Sequence, residues 1–270
     1  RGDCMERAPL LVLAAGQRCG STLVQRLLSS HPQVLIWGEH AGQLRQLLAI
    51  GDRLRTWTSD FGDPGRLGFA RSGYQSFMAN MTPEADRIDR ATRAYLEQLF
   101  AQPAQDLGRP IWGFKEVRYG LADASALHRL FPDCRVLHIV RDPRDVLRSL
   151  DVWERAGGWP RSDTELVVSD WKRVAASFWT SDVEPWVLRL RYEDLVADPG
   201  LWSVRIAEHC GLSTELFDDA VFGRRIHGAG LRGQARREIR DWAALPVELR
   251  DLVDSDVQLI GKACGYQLEL

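Results

Sequence analysis

The feature that most constrains the fold of this chain is an apolar segment followed by a glycine-bounded loop and an amphipathic helix. The apolar segment, residues 9–14 (PLLVLA), has the length and composition of a short buried strand, and Gly16 and Gly20 bound the turn after it. The next apolar residues recur on one helical face: Leu23, Val24, Leu27 and Leu28. Such a junction gathers backbone N–H groups and the positive end of a helix, which suits a phosphate or a sulfate. A plain strand–turn–helix junction with Gly20 and a Ser21 cap explains the loop alone equally well.

The same alternation of buried strands and amphipathic helices continues along the chain and predicts a parallel sheet wrapped by helices. Further strands are predicted at residues 34–37, 110–115, 135–140 and 186–191. Helices are predicted at residues 40–50, 83–100, 122–131, 143–152, 165–180, 200–210 and 216–222, and again after Pro246. Residues 51–73, rich in Gly, Asp and Arg without clear periodicity, predict a long irregular excursion. The predicted fold class is α/β, with one domain over residues 1–270 and helices on both faces of a central parallel sheet.

The charge of the chain excludes one large class of function. Its 270 residues include 35 basic and 37 acidic side chains, which leave a formal charge of −2. This balance argues against a protein that coats a polyanion such as DNA, so no nucleic-acid partner is expected and any anion site must be local. All but three of the basic residues are arginines, which fits a GC-rich bacterial genome and also fits arginine-based recognition of an anion.

Cysteine spacing and hydropathy bear on the compartment. Five cysteines without a Cys-x-x-Cys pair argue against a disulfide framework or a zinc ribbon. The sequence has no apolar run of about 18 residues to span a bilayer, and no signal-peptide pattern. A cytoplasmic location is therefore expected, although a start at Arg1 rather than methionine leaves an upstream anchor or fused domain open.

The first loop, Gly16-Gln17-Arg18-Cys19-Gly20-Ser21-Thr22, differs from a Walker A loop. A Walker A loop needs four residues between its glycines and a lysine directly after the second one. Here three residues separate the glycines, Ser21 follows them, and the basic residue is Arg18. Cys19 invites comparison with a nucleophile activated at a helix N-terminus. No His or Asp partner adjoins it, so a small filler side chain is the favoured interpretation.

A second candidate anion site follows a later strand. Residues 138–149 (HIVRDPRDVLRS) end a strand at Arg141 and open a helix with Asp142 as its cap and Pro143 in the first turn. Two helical turns separate Asp142 from Ser149, so Ser149 lies on the face nearest the strand end and can share an anion with Arg141. Arg141 alone is equally typical of a surface ion pair. Two phosphate-binding sites at the carboxyl ends of two strands indicate a nucleotide with phosphates at both ends of its ribose.

With two more segments in order, the chain resembles the PAPS-dependent sulfotransferases, whose donor is 3′-phosphoadenosine 5′-phosphosulfate (PAPS). These segments are residues 112–116 (WGFKE), around a central lysine, and residues 190–195 (LRYEDL), at a strand end. The first loop is similar to the Arg-x-Gly-Ser-Thr form of the 5′-phosphosulfate loop in bacterial trehalose-type and tyrosyl-protein-type enzymes. The resemblance implies a P-loop-like sulfotransferase fold, PAPS as co-substrate, no metal, and a small-molecule or carbohydrate hydroxyl as acceptor.

The resemblance also implies which residues bind the nucleotide. They are Arg18, Cys19, Gly20, Ser21, Thr22, Leu23, Arg141, Ser149, Tyr192 and Arg232. Arg232 rests on a loose match, since Arg232-Gly233 and Asp241-Trp242 stand where cytosolic enzymes have an Arg-Lys-Gly…Gly-Asp-Trp segment.

Three residues are expected to carry the transfer step: Glu39, Arg18 and Lys115. Negative charge builds on the bridging oxygen as it leaves, and Arg18, Lys115 and the loop N–H groups are expected to stabilise it. In the Arg-type enzymes, a Glu in the position of Glu39 is the proposed base for the acceptor hydroxyl. A helix-start Glu is the plainer interpretation, and His40 is the competing base. His138, inside a strand, is expected to be structural.

Ten tryptophans are many for this length, and four fall in or beside loops expected to surround the acceptor: Trp37, Trp57, Trp153 and Trp159. The predicted substrate-binding residues are Trp37, His40 and Trp153. Helix packing is expected of Trp171, Trp179 and Trp202. Two other functions stay open. One is an ATP-dependent P-loop-type kinase, and the other is a nucleotide-binding regulatory module in which Glu39 and Lys115 are idle.

Overall fold

Five parallel strands form the centre of the computed structural model, which describes residues 8–155, 163–223 and 241–268. The strands are β1 (Leu10–Ala14), β2 (Val34–Trp37), β3 (Ile111–Glu116), β4 (Arg135–Val140) and β5 (Val187–Arg191). Their order across the sheet is β2-β3-β1-β4-β5, and every neighbouring pair is parallel. The predicted parallel sheet is confirmed, with each strand boundary within one residue of its predicted place.

Helices connect the strands and flank the sheet, which confirms the α/β prediction. In the described ranges they are α1 (Ser21–Ser30), α2 (Leu44–Trp57), α3 (Asp63–Ser72), α4 (Ala85–Leu96), α5 (Gln102–Asp106), α6 (Leu121–Leu130), α7 (Pro143–Arg155), α8 (Thr164–Trp179), α9 (Tyr192–Ala197), α10 (Pro199–Cys210), α11 (Ala220–Gly223), α12 (Val247–Arg250) and α13 (Ser255–Ala263). Helix α1 packs against α11, and α6 packs against α8. None of the helices in these ranges is both long enough and apolar enough to cross a membrane.

Burial explains the composition of the central strands. Every residue of β1 and of β3 is buried. A strand that is covered by helices on both faces has no solvent side, so it appears in the sequence as a continuous apolar run rather than an alternation. Lys115 and Glu116 depart from this pattern although both are buried. They stand at the carboxyl end of β3, where the core meets the candidate site.

The strand order creates a crevice between β1 and β4 at the carboxyl edge of the sheet. The chain leaves β1 through α1 toward β2, and it leaves β4 through α7 and α8 toward β5, in the opposite direction along the sheet. Right-handed crossovers in opposite directions place their helices on opposite faces. The two chain segments therefore diverge after neighbouring strands, and ligands of open α/β sheets bind at such a point.

Residues 51–73 are helical, which corrects the predicted irregular excursion. Helix α2 continues into this stretch, a π-helical turn covers Thr58–Gly62, and α3 follows directly. Gly65 serves close packing inside α3, since a Cβ there would lie only 3.1 Å from Cα of Met81. A glycine that breaks a helix and a glycine that lets two segments touch look the same in one sequence, so the prediction failed.

Several predicted helices differ from the structure in extent, and two of them differ for a visible reason. The helix predicted at residues 40–50 begins only with α2, because Ala41 and Gly42 have φ values of 54° and 72° that a right-handed helix does not contain. The helix predicted at residues 216–222 divides into a 3₁₀ turn, Thr214–Leu216, and the short α11. The extended backbone of Phe217 (φ −80°, ψ 146°) separates the two.

Gly113 marks a close approach of β3 to β1, where it is paired with Leu10. A Cβ at Gly113 would overlap the carbonyl oxygen of Leu10, so we expect Gly113→Ala to lower the free energy of unfolding by about 3 kcal/mol. Gly200→Ala is the matched control, because its new Cβ would lie inside α10 at 3.8 Å from Oδ1 of Asp198 and helix propensity favours Ala. Urea unfolding followed by circular dichroism measures both. Equal stability of the two variants would contradict this account of the strand pairing.

Candidate active site

The loop after β1 is tied to the ends of both neighbouring strands. The N–H of Ala15 donates to the carbonyl of Ile139 in β4 at 3.0 Å, and the N–H of Gly16 donates to the carbonyl of Val117, just beyond β3, at 3.1 Å. The loop then turns through left-handed backbone at Gly16 (φ 78°) and Arg18 (φ 66°). A left-handed residue other than glycine carries backbone strain, and such strain clusters at functional sites.

The N-terminus of α1 keeps its first N–H groups available. Gly20 is the cap residue, with φ 96° and no side-chain cap hydrogen bond. As in any α-helix, the first-turn N–H groups of Ser21 and Thr22 have no acceptor within the helix. Glycine is also needed at the cap because a Cβ there would overlap the ring of Tyr192. The alternative junction with Ser21 as the cap is therefore not formed, and the positive helix end suits an anion.

The side chains of Cys19 and Leu23 point into the core. The sequence predicts both residues to bind the nucleotide. The buried thiol of Cys19 donates to the carbonyl of Ala15 at 2.9 Å. Burial raises the pKa of this thiol to about 12. Leu23 is also buried, and its N–H donates to the carbonyl of Gly20 at 2.9 Å. Both side chains act as packing groups, as the filler interpretation of Cys19 expects.

Arg18, Arg141 and Ser149 meet in the crevice between β1 and β4. Nε of Arg18 donates to Oγ of Ser149 at 3.0 Å, and Nη1 of Arg141 donates to the carbonyl oxygen of Arg18 at 3.2 Å. The sequence predicts Ser149 beside Arg141, and the structure joins it to Arg18. The indole N–H of Trp171 donates to the carbonyl oxygen of Arg141 at 3.0 Å. The first loop and the start of α7 therefore form one site.

The electrostatics of this crevice favour an anion. Burial and the nearby charge of Arg141 lower the pKa of Arg18. Nε of Arg141 is buried and has no hydrogen-bond acceptor among the residues that the structure describes. An anion would relieve the repulsion between the two guanidinium groups and would accept charge-assisted hydrogen bonds from them.

Tyr192, at the start of α9, borders the crevice from the side of β5. The guanidinium carbon of Arg141 lies 4.5 Å from the centroid of its ring, in a cation–π contact. The next residue, Glu193, accepts the N–H of Asp142 at 3.0 Å and the hydroxyl of Tyr266 at 2.8 Å. This carboxylate ties the residue after Arg141 to the C-terminal segment.

A second charged cluster stands at the ends of β2 and β3. Oε1 of Glu39 lies 2.6 Å from Nζ of Lys115, and its Oε2 lies 3.3 Å from Nη1 of Arg118. The same Nη1 donates to Oε1 of Glu116 at 2.9 Å. The predicted catalytic residues Glu39 and Lys115 are thus in direct contact. Sequence reasoning did not single out Glu116 and Arg118, although charged residues that end an apolar strand were a usable signal.

His40 packs among aromatic rings beside this cluster. Its ring centroid lies 6.1 Å from that of Phe100, 5.0 Å from that of Phe114 and 5.4 Å from that of Tyr119. Burial lowers the pKa of His40, so its imidazole is neutral near pH 7. Its Nδ1 lies 3.4 Å from Oε2 of Glu116 but outside hydrogen-bond geometry, and neither ring nitrogen has a hydrogen-bond partner in the described part of the chain.

His138 has the packing role that its place in β4 predicts. Its ring is fully buried, stacks on Phe178 at 4.0 Å between centroids, and accepts the indole N–H of Trp179 at 3.1 Å. Burial lowers the pKa of His138 to about 3. The imidazole is therefore a neutral part of the core. Trp171 and Trp202 are buried as well.

The candidate acceptor tryptophans are distributed unevenly. Trp37 is partly buried, and its indole N–H donates to the carbonyl of Phe100 at 2.9 Å. The ring of Trp153 lies 5.2 Å from the guanidinium carbon of Arg18. Trp57 ends α2, within the helical stretch that the sequence missed. Two further assigned residues lie outside the described ranges: Trp159 and Arg232.

The fold is that of an α/β protein of the P-loop-like type, with two arginines meeting where its crossovers diverge. A family model described as "Sulfotransferase family" matches residues 9–216. The chain belongs to the sulfotransferase family.

Known relatives agree with this assignment. The zebrafish (Danio rerio) Protein-tyrosine sulfotransferase 1 is 24% identical over 234 residues, which are 84% of this chain and 58% of the relative. The chain thus spans little more than half the length of that protein. The sulfotransferase domain from the Synechococcus PCC 7002 olefin synthase covers 99% of this chain and 98% of its own, with a TM-score of 0.55 and 20% identity. The sulfotransferase domain from the curacin biosynthetic pathway covers 98% of this chain and all of its own, with a TM-score of 0.53 and 15% identity. At these identities the likeness shows the fold, and it confirms the predicted sulfotransferase fold.

The burial of Cys19 predicts that its thiol is unreactive in the folded protein. With its pKa at about 12, roughly one thiol in 10⁴ is a thiolate at pH 8, and the side chain has no exposed surface. We expect iodoacetamide at pH 8 to leave Cys19 unmodified in the native protein and to label it after unfolding in urea, as measured by peptide mass spectrometry. Rapid labelling of Cys19 in the native protein would restore the nucleophile interpretation.

Proposed function

We propose that this protein transfers a sulfuryl group from PAPS to a hydroxyl group of an acceptor. The observation that carries the proposal is the meeting of Arg18 and Arg141, one after each of two neighbouring parallel strands. A donor with anionic groups at the 5′ and 3′ ends of its ribose needs two separate anion-binding groups, and Arg18 and Arg141 are the proposed pair. Membership of the sulfotransferase family supports the same activity.

The residues present fit such a donor. At the 5′ end, the first-turn N–H groups of Ser21 and Thr22 suit a phosphosulfate, and the positive charge of Arg18 lies in the same loop. The absence of a side chain at Gly20 leaves the approach open. At the 3′ end, the buried Nε of Arg141 needs an acceptor, which a 3′-phosphate supplies. The other proposed contacts of the nucleotide are Ser149, Tyr192 and the backbone of Cys19. Arg232 is proposed only because its segment matches a family motif.

The proposed reaction is an in-line substitution at sulfur. The bond from sulfur to the bridging oxygen breaks while the bond from sulfur to the acceptor oxygen forms. The electron pair of the broken bond stays on the leaving phosphate, which departs as part of adenosine 3′,5′-bisphosphate. Arg18, Lys115 and the first-turn N–H groups of α1 stabilise the charge that develops there, because they are fixed before the reaction begins.

Glu39 is the proposed general base, and it takes the proton of the acceptor hydroxyl. Lys115 lies 2.6 Å from its carboxylate, so the base and a charge-stabilising cation are adjacent. Lys115 and Arg118 each take one acceptor position, and an ionised carboxylate has about four, which leaves room for a hydroxyl. The side chain of Glu39 is 33% exposed, against 16% for His40, so an acceptor reaches Glu39 more easily.

A small-molecule or carbohydrate hydroxyl is the proposed acceptor. Trp37 stands two residues before Glu39 with its indole held by Phe100, and such a fixed flat ring suits stacking on a sugar or an aromatic group. Trp153, beside Arg18, and His40 are the other proposed contacts. The name of the zebrafish relative adds the tyrosine hydroxyl to the acceptors that an assay must include.

The role of Glu39 predicts a loss of turnover without a loss of nucleotide binding. We expect Glu39→Gln to lower kcat by about 10²–10⁴-fold, since the amide cannot take the proton, while the affinity for adenosine 3′,5′-bisphosphate stays nearly unchanged. A sulfate-transfer assay across hydroxyl acceptors and isothermal titration calorimetry measure the two quantities. If Glu39→Gln keeps most of the activity and His40→Ala loses it, the base is His40.

The role of Arg141 predicts a loss of nucleotide affinity. We expect Arg141→Ala to weaken binding of adenosine 3′,5′-bisphosphate about 30-fold, which corresponds to about 2 kcal/mol for a lost charge-assisted contact. Arg135→Ala is the matched control, because Arg135 begins the same strand at the opposite edge of the sheet. An unchanged titration of the Arg141 variant would remove the 3′-phosphate site. Tighter binding of ATP with Mg²⁺ than of the bisphosphate would favour the kinase alternative.

A further inference from the structure

The loop that carries Glu39 is anchored on one buried carboxylate. Glu116, the last residue of β3, has no exposed surface. Its Oε2 accepts the backbone N–H of Gly42 at 2.7 Å and the backbone N–H of His40 at 3.4 Å. A side chain of the central sheet thus holds both sides of the turn that follows Glu39.

The other oxygen of Glu116 reaches Glu39 through one arginine. Oε1 accepts the N–H of Val117 and Nη1 of Arg118, both at 2.9 Å. The same Nη1 lies 3.3 Å from Oε2 of Glu39. Arg118 therefore bridges the buried carboxylate and the partly exposed one.

The conformation of this loop needs such support. Ala41 and Gly42 are consecutive left-handed residues, and for Ala this backbone costs about 1–2 kcal/mol. Strained backbone persists where its surroundings determine it fully. Burial alone would raise the pKa of Glu116, but hydrogen bonds from Val117, Gly42 and Arg118 lower it below the usual value. The carboxylate is therefore ionised near neutral pH and accepts all of these hydrogen bonds.

A buried ion pair adds little to stability that well-packed apolar residues would not also supply. The charge of Glu116 is explained better by the groups that it holds in place, which are the turn after Glu39 and the guanidinium of Arg118. We propose that Glu116 and Arg118 are positioning residues for the transfer reaction, which fix the carboxylate of Glu39 against Lys115. This inference rests on the proposed role of Glu39 as the base. Because Glu116 has no exposed surface, it acts on the acceptor through Glu39 and the loop.

The inference predicts that a substitution of Glu116 lowers kcat and leaves the affinity for the nucleotide nearly unchanged. In Glu116→Gln, the amide nitrogen cannot accept a hydrogen bond, so one pair of donors loses its acceptor. We expect kcat to fall by about 10–100-fold, since displacement of a reacting group by about 1 Å has such an effect. The affinity for adenosine 3′,5′-bisphosphate should change less than about 2-fold, because its cradle lies after β1 and β4. Arg118→Met should act in the same direction.

Arg173→Met is the matched control. The guanidinium of Arg173 donates to the carbonyl of Arg118 at 2.7 Å and pairs with Asp170, but it contacts neither glutamate. Like Arg118→Met, the Arg173→Met substitution removes one positive charge from this region. We expect kcat to stay within about 2-fold of the parent value.

A double-mutant cycle on kcat with Glu39→Gln decides the matter. If Glu116 acts through Glu39, then Glu116→Gln lowers kcat less than about 2-fold in the Glu39→Gln background, while its effect on thermal unfolding persists. Equal fold-losses in both backgrounds, or full kcat in the Glu116→Gln single variant, would overturn the positioning role. Full kcat in Glu39→Gln would instead refute the proposed base, so the two failures are distinguishable. If Glu116→Gln does not unfold cooperatively, Arg118→Met enters the same cycle with the same expected outcomes.

Discussion

The parallel pairing of β1 with β4 sets the two arginines of the candidate site side by side. The register places Ala14 opposite Ile139, so the two strands end nearly level, and the N–H of Ala15 extends the ladder by one more bond. The first loop and the start of α7 must then occupy the same crevice, because their crossovers diverge to opposite faces. The contact of Arg141 with the backbone of Arg18 and the approach of Arg18 to Ser149 both depend on this pairing.

The two charged clusters at the sheet edge differ in balance, and the difference fits their proposed tasks. Arg141 contacts the backbone of Arg18, and its buried Nε has no hydrogen-bond acceptor within the described ranges, so an anion would complete this arrangement. In the second cluster, Glu39 and Glu116 offset Lys115 and Arg118, so no further charge is needed there. A balanced cluster suits the binding of a neutral hydroxyl and the transfer of its proton, whereas the unbalanced one suits the anionic donor.

Strands and their order along the chain were accessible from the sequence because burial on both faces leaves a plain apolar run. The helical stretch at residues 51–73 was not, since Gly65 serves a close contact rather than a break. Ser149 was placed at the correct strand end, but its partner Arg18 depends on a left-handed backbone that the residue type does not reveal. The sequence predicted that a helix starts after Gly20. It did not predict that the ring of Tyr192 lies where a Cβ of residue 20 would be.

The sequence by itself determined the class of fold, the two strand ends that carry arginine, and Glu39 and Lys115 as candidate catalytic groups. The fold class and the strand ends follow from local patterns of burial, turn residues and spacing, which lie in adjacent positions. The catalytic assignments of Glu39 and Lys115 follow from the resemblance of their segments to a known family. Only the tertiary structure decided which groups touch: Lys115 with Glu39, Arg118 between two carboxylates, and Glu116 beneath the turn. The contacts of Glu39 with Lys115 and Arg118, and of Glu116 with Gly42, join residues more than 70 positions apart. Their geometry is set by strand register and backbone twist, which no local pattern records.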